Sequence, residues 1–242
     1  MDVILQQILY FLGHGFCHQY AERSLEAGGL YFCVCARCTG IYLGFIVTLL
    51  VVAILVAITA RKSEASDSAP TGMPPTWVVV ICVLLIVPMA IDGVGSYARL
   101  FETTNLARYI TGYLCGTSLA IIASGGVTSL WLQPSESQST VNTPARLVAL
   151  LLVSATAGAL FYKGYPFMGI LAPIISLASL WLAVTVVILL IVSTTRLWQP
   201  NSSAAYRTAT IALCLLAALM VLAAISLVVS LFGALIPWYV HP

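Results

Sequence analysis

Residues 40–59 read GIYLGFIVTLLVVAILVAIT, twenty successive positions without a charge. About 20 apolar residues carry an α-helix across the hydrocarbon core of a bilayer. The rest of the chain has the same character. Of 242 residues, 61% are hydrophobic and 7% charged, and mean hydropathy is +1.04. A soluble domain carries about 25% charged residues, so the composition excludes one. The fold class is therefore all-α: a polytopic bundle of transmembrane helices.

Working outward, five more apolar runs qualify as spans: 76–91, 106–123, 145–162, 168–194 and 206–238. The third carries Arg108 near its start. Residues 3–16 are apolar but short and broken by Gln6, Gln7, Gly13 and Gly15. They read as a short helix at the membrane interface or entering the bundle partway. The same polar breaks, and the lack of a basic leading region, argue against a cleavable signal peptide. The whole reads as one membrane domain over 1–242: an N-terminal helix and Cys/His segment (1–39), motif-bearing spans (40–123) and C-terminal spans (145–238).

Scarce polar chemistry collects just before the first strong span. Cys17-His18-Gln19, Glu22-Arg23-Ser24 and Cys33-Val34-Cys35-Ala36-Arg37-Cys38-Thr39-Gly40 follow one another within 24 residues. Cys35-x-x-Cys38 with Cys17 and His18 upstream supplies four soft or borderline ligands, the number structural zinc takes in a tetrahedron. His14 and Cys33 are other candidates for the fourth position. A redox reading competes. A C-x-x-C at a helix N-terminus has its thiolate favoured by unpaired backbone N–H groups and the helix dipole, with Arg37 between the two cysteines and Cys17 or Cys33 as resolving partner. A disulfide or inert thiols ordering the loop is the plain alternative. Cys82, Cys115 and Cys214 sit in apolar runs and read as small buried hydrophobes.

A second polar constellation follows the second span: Asp92-Gly93, then Arg99, Glu102, Thr103, Thr104, Asn105, Arg108, Thr111 and Gly112. With a helix starting near Thr104, the 3.6-residue repeat puts Thr104, Arg108 and Thr111 on one face. A charge inside the bilayer costs about 2.5–3.5 kcal/mol on insertion scales, so these charges must pair with one another or with a ligand. The structural reading is a salt-bridge network stapling helices. The functional reading is an anion pocket in which Arg23, Arg37, Arg99 and Arg108 offer planar forks to phosphate or carboxylate. Asn105 belongs to that pocket, and Asp92 or Glu102 serves as a base or an arginine positioner. Gly112-x-x-x-Gly116 permits close helix packing.

The connectors differ in kind. RKSEASDSAPTGMPP (61–75), QPSESQSTVNTP (133–144) and QPNSSA (199–204) read as solvated linkers. With six crossings, all three fall on one membrane face. The Cys/His segment, residues 92–105, the Lys163-Gly164-Tyr165-Pro166 turn and the C-terminal His241 fall on the other. Trp198, Trp238 and Tyr239 read as interface residues. Counted by face, cations divide five against five. Discounting site-face arginines as functional makes the linkers cytoplasmic and turns the site outward. Net charge of +2, with no basic run, gives no ground for a nucleic-acid partner.

Taken together, the motifs resemble a family of uncharacterised prokaryotic integral membrane proteins grouped by a domain of unknown function. Its pattern has C-H-Q-x-x-E-R-S, met by Cys17, His18, Gln19, Glu22, Arg23 and Ser24, and V-C-A-R-C-x-G-I-Y-x-G, met by Val34–Cys38, Gly40–Tyr42 and Gly44. A later D-G, an arginine and T-N-x-x-R-x-x-T-G are met by Asp92, Gly93, Arg99, Thr104, Asn105, Arg108, Thr111 and Gly112. The likeness covers about residues 12–116; Cys33 and His14 depart from the pattern. It implies a membrane fold and no activity. The residues themselves point to a zinc site of Cys17, His18, Cys35 and Cys38 beside an arginine pocket for an anionic group, with a membrane lipid phosphate as the expected partner. With an open metal position this becomes a metal-dependent hydrolase or transferase acting on a lipid. Thiol–disulfide exchange at Cys35/Cys38, and transport of a small anion or metal ion, are the alternatives.

Overall fold

A computed structural model describes residues 2–62, 72–131, 139–193, 195 and 204–235. It contains seven α-helices and one β-hairpin among the described residues: α1 (Asp2–His14), β1 (Ser24–Ala27), β2 (Leu30–Cys35), α2 (Ala36–Lys62), α3 (Thr76–Tyr97), α4 (Asn105–Trp131), α5 (Pro144–Gly164), α6 (Leu171–Ser193) and α7 (Ala204–Leu235). Six of them, α2 to α7, are long and apolar enough to cross a bilayer. The six expected spans are all present. The middle of each linker expected from the sequence, and Trp198, Trp238, Tyr239 and His241, lie outside the described residues.

Two helices run further than their apolar stretches, for reasons that bear on the site. The first strong span begins at Ala36 rather than at residue 40, so Arg37 and Cys38 stand in its first turn. The second continues past residue 91 to Tyr97. Asp92 and Gly93 are therefore helical rather than part of a connector. A carboxylate ends an apolar run but need not end a helix when a cation meets it, and Arg37 does so here.

α2 and α4 form the tightest crossing. Gly40 and Gly44 on α2 face Gly112 and Gly116 on α4, and in both directions the glycine lies against the partner's backbone. A Cβ at Gly112 would overlap the Arg37 carbonyl, one at Gly116 the Ile41 carbonyl, and one at Gly40 the Tyr109 carbonyl. Apolar side chains gain little from association inside lipid, so close backbone packing of small residues does this work instead. Hydroxyls finish the crossing. Thr48 Oγ1 donates to Thr117 Oγ1 at 3.2 Å, and the Thr48 and Ser154 hydroxyls lie 2.7 Å apart, joining α5.

α1 is more than an interface helix. Leu9 is fully buried against Leu30, Cys33, Val34, Leu180 and Leu222, and the Gly15 amide donates to Ser226 Oγ on α7 at 3.2 Å. The hairpin sits between α1 and the bundle. Its two-residue turn is Gly28-Gly29, with φ of +61° and +75°. Positive φ at both central positions is the turn that matches strand twist, and glycine adopts it without penalty.

Replacing Gly116 by Val is expected to destabilise the bundle by about 1–3 kcal/mol, the usual cost of overpacking, seen as a lower melting temperature in detergent. Gly93, where a Cβ would meet nothing within 4 Å, is the control. Gly93→Ala should leave stability unchanged or raise it by up to about 1 kcal/mol.

Candidate metal and anion site

β2 runs without a break into α2, and this junction builds the site. Cys35 is the last strand residue, and Cys38 stands in the first turn of the helix. Cys17 reaches them from the segment after α1, where the Cys35 amide donates to Cys17 Sγ at 3.2 Å. The sulfurs of Cys17, Cys35 and Cys38 all lie within 4.8 Å of one another. Gln19 fixes the segment carrying Cys17. It has a φ of +51°, and its Nε2 donates to the carbonyls of Tyr10 at 2.9 Å and Cys33 at 2.6 Å.

The thiols are unequal. Hydrogen bonds from Cys17 and Cys38 hold the Cys35 thiol far below the usual thiol range. Cys17, the donor to Cys35, is pushed up to about 11. Cys33 points the other way, toward the Ser176 hydroxyl at 3.8 Å, and burial pushes it up to about 12.

His18 is not in the sulfur group. It is exposed, with Nδ1 3.3 Å from the Tyr97 hydroxyl and its ring stacked with Tyr20.

The second constellation meets the first. Arg37 Nε donates to Asp92 Oδ2 at 2.7 Å, and Arg37 Nη2 donates to the Asp92 carbonyl at 3.2 Å. Thr111 Oγ1 also donates to Asp92 Oδ2, at 3.3 Å. Asp92 thus fixes the Arg37 guanidinium and clasps α2, α3 and α4 together. Among the described residues Arg108 takes no carboxylate. Its Nη1 donates to Asn105 Oδ1 at 3.1 Å, while Asn105 Nδ2 donates to the main-chain carbonyls of Glu22 and Ser24. Arg108 is 8% exposed, and its buried Nε has no hydrogen-bond partner among the described residues.

A cavity of about 190 Å³ joins these groups. It is lined by Cys17, Cys35 and Cys38 together with Arg23, Arg37 and Arg108, and is completed by His18, Gln19, two tyrosines and apolar side chains. Arg23 sits over the Tyr20 ring at 5.2 Å. Two expected pocket residues are elsewhere: Arg99 and Glu102 are exposed and do not line the cavity. Asn105 acts behind Arg108 rather than in the lining.

Sequence reasoning passed over the hairpin, and it placed Gln19 and Thr111 in the motifs without the bonds they make. The hairpin had a readable signal in Ala27-Gly28-Gly29-Leu30 between apolar runs. The bonds of Gln19 and Thr111 span the fold and carry no local signature.

Fold and site together define a polytopic helical membrane protein with a three-cysteine cluster able to hold a metal ion. Residues 17–122 match the model of a family described as "Predicted membrane protein (DUF2085)". The chain is 36% identical over 106 residues to an uncharacterized protein of Methanothermobacter thermautotrophicus, across 44% of this chain and 82% of that one. It is 32% identical over 108 residues to an uncharacterized protein of Methanocaldococcus jannaschii, across 45% of this chain and 61% of that one. The chain belongs to the DUF2085 family of membrane proteins. The matched stretch ends within α4, so the hairpin, the cavity lining and the α2–α4 crossing fall almost wholly inside it. No solved structure matches.

In metal-free protein, Cys35 should be the first thiol alkylated by iodoacetamide, and its rate should stay flat between about pH 6 and pH 8. Cys17 is mostly protonated there, so its rate should rise about tenfold per pH unit, following its thiolate fraction. Peptide mapping of the label checks both. Asp92→Ala leaves Arg37 without its counter-charge and is expected to cost about 3–5 kcal/mol in unfolding experiments.

Proposed function

We propose that this protein binds a metal ion, zinc first, through Cys17, Cys35 and Cys38, and presents it beside an arginine pocket that takes an anionic, phosphate-bearing group. The observation that carries the reading is Arg108. It is a buried cation with an unpartnered Nε, in the same cavity as the three thiols, restrained by a neutral amide rather than a carboxylate. Burying a charge is expensive unless a partner offsets it, and an anion in the cavity supplies that partner. Thiolate donors at a compact cluster favour zinc among the common borderline metals. A lipid phosphate is the proposed source of the anion, reaching the cavity from the bilayer past Ile41 and Met89, which also line it.

Orientation follows from the same assignment. With Arg23, Arg37 and Arg108 set aside as cavity residues, the site face keeps Arg99 and Lys163. The linker face carries Arg61, Lys62, Arg146, Arg196 and Arg207. The positive-inside rule then puts the linkers in the cytoplasm and the site outward, at the cell membrane.

Metal analysis of protein purified without chelator tests the reading. We expect close to one zinc per chain, falling to near zero in Cys35→Ser and Cys38→Ser. A stoichiometry near zero in the wild type, with the cluster thiols free, would sink it. A second reading is favoured by the lowered Cys35 thiol at the mouth of α2: thiol–disulfide exchange through Cys35 and Cys38. It requires a disulfide that forms and reverses across physiological potentials, visible as a mobility shift after thiol labelling.

A further inference from the structure

The three sulfurs leave one position of a tetrahedral metal unfilled, and what fills it decides what the site is for. In a regular tetrahedron with Zn–S bonds of ~2.3 Å, sulfurs stand about 3.8 Å apart, within the 4.8 Å spread of this cluster. Among the described residues no fourth His, Cys, Asp or Glu joins the group. Of the three nearest in sequence, His14 and Cys33 are turned elsewhere, and His18 lines the same cavity without joining the sulfur group. His18 lies against Tyr20 and Tyr97, His14 stacks on Tyr10, and Cys33 faces Ser176.

All three sulfur-bearing residues line the cavity that Arg108 and Arg23 line from other elements. Charge points the same way. A divalent ion with three thiolates carries one net negative charge. Arg37 is offset by Asp92, whereas Arg108 and Arg23 together bring two positive charges and meet no carboxylate within salt-bridge distance among the described residues. The cavity therefore keeps a net positive charge that an added anion offsets. Guanidinium forks suit the planar edges of an oxyanion.

We infer that the metal and the arginines form a single site: an oxyanion of the phosphate type occupies the metal's fourth position and is held at the same time by Arg108 and Arg23. This rests on the metal reading above and adds to it that the centre is completed by ligand rather than closed by protein. The anion belongs either to a free phosphate or to a lipid phosphomonoester, which share that chemistry.

Cobalt(II) loaded into the full-length protein in detergent reports its own coordination through its visible d–d bands. Titration with inorganic phosphate should shift those bands saturably. In Arg108→Gln, cobalt should load as in the wild type while half-saturation by phosphate moves up at least tenfold. His18→Ala should keep the tetrahedral spectrum. A short-chain phosphatidate that saturates the shift at lower concentration than phosphate identifies the lipid as source; equal or weaker action identifies the free anion. Bands indifferent to both ligands overturn the inference, as does loss of the tetrahedral spectrum in His18→Ala, which would make His18 the fourth ligand. Failure of the wild type to load cobalt would instead strike the metal reading itself. Should Arg108→Gln not fold, the same rise in half-saturation is sought in Arg23→Gln, and an unchanged value there overturns the inference.

Discussion

The crossing of α2 and α4 sets everything around it. Glycines at positions 40, 44, 112 and 116 bring the two backbones into contact over the end of the bundle nearest the site. That approach fixes where the first turn of α2 lies relative to the first turns of α4. Arg37 is seated against Gly112, and Arg108 begins the turn before it. Larger residues at the crossing would move the helices apart and separate thiols from arginines. The expected role of Gly112-x-x-x-Gly116 in close packing is fulfilled. Its partner is a matching Gly40-x-x-x-Gly44 that overlaps the motif following Cys38.

Given that crossing, the three charges near it divide into one ion pair and one cation of different meaning. Arg37 and Asp92 satisfy each other within a few ångströms and join α2 to α3. They are the stapling network that membrane burial of charge demands. Arg108 is tied to Asn105 instead. A buried arginine that served only stability would gain more from the carboxylate, because charge-assisted pairs are stronger than a bond to a neutral amide.

The six spans were legible because bilayer thickness imposes a length that composition alone reveals. The convergence of Cys17–Cys38 with Asp92–Arg108 was legible from crossing parity, which puts both segments on one face. What escaped was local geometry under tertiary control. Asp92 breaks an apolar run, so its segment read as a connector, yet the helix continues because Arg37 answers the charge. His18 adjoins Cys17 in sequence, and adjacency suggested shared ligation. The backbone after Cys17 instead sets His18 against Tyr20 and Tyr97 and outside the sulfur group, with Gln19 held at positive φ by its bonds to Tyr10 and Cys33. Sequence proximity is a poor guide to ligand direction where the backbone is irregular.

The thiols alone do not choose between metal and redox chemistry, since a C-x-x-C at a helix start serves both. The proposed choice between them rests on the way the arginine is anchored. Asn105, which holds Arg108, is itself held by the carbonyls of Glu22 and Ser24. These belong to the stretch that leads from Cys17 into β1, and β2 leads on to Cys35 and Cys38. One short segment therefore registers sulfur and guanidinium to each other across three elements. A disulfide exchanging electrons needs its sulfurs near one another and a cation somewhere close, and Arg37 already lies between the two cysteines in sequence. It has no need of a second arginine placed at fixed distance and kept unpaired. A ligand gripped from two sides does have that need, because a displacement of either side would break its geometry. The anchoring of Arg108 through Asn105 is thus the feature that weighs for a bound anion beside a metal and against thiols acting alone.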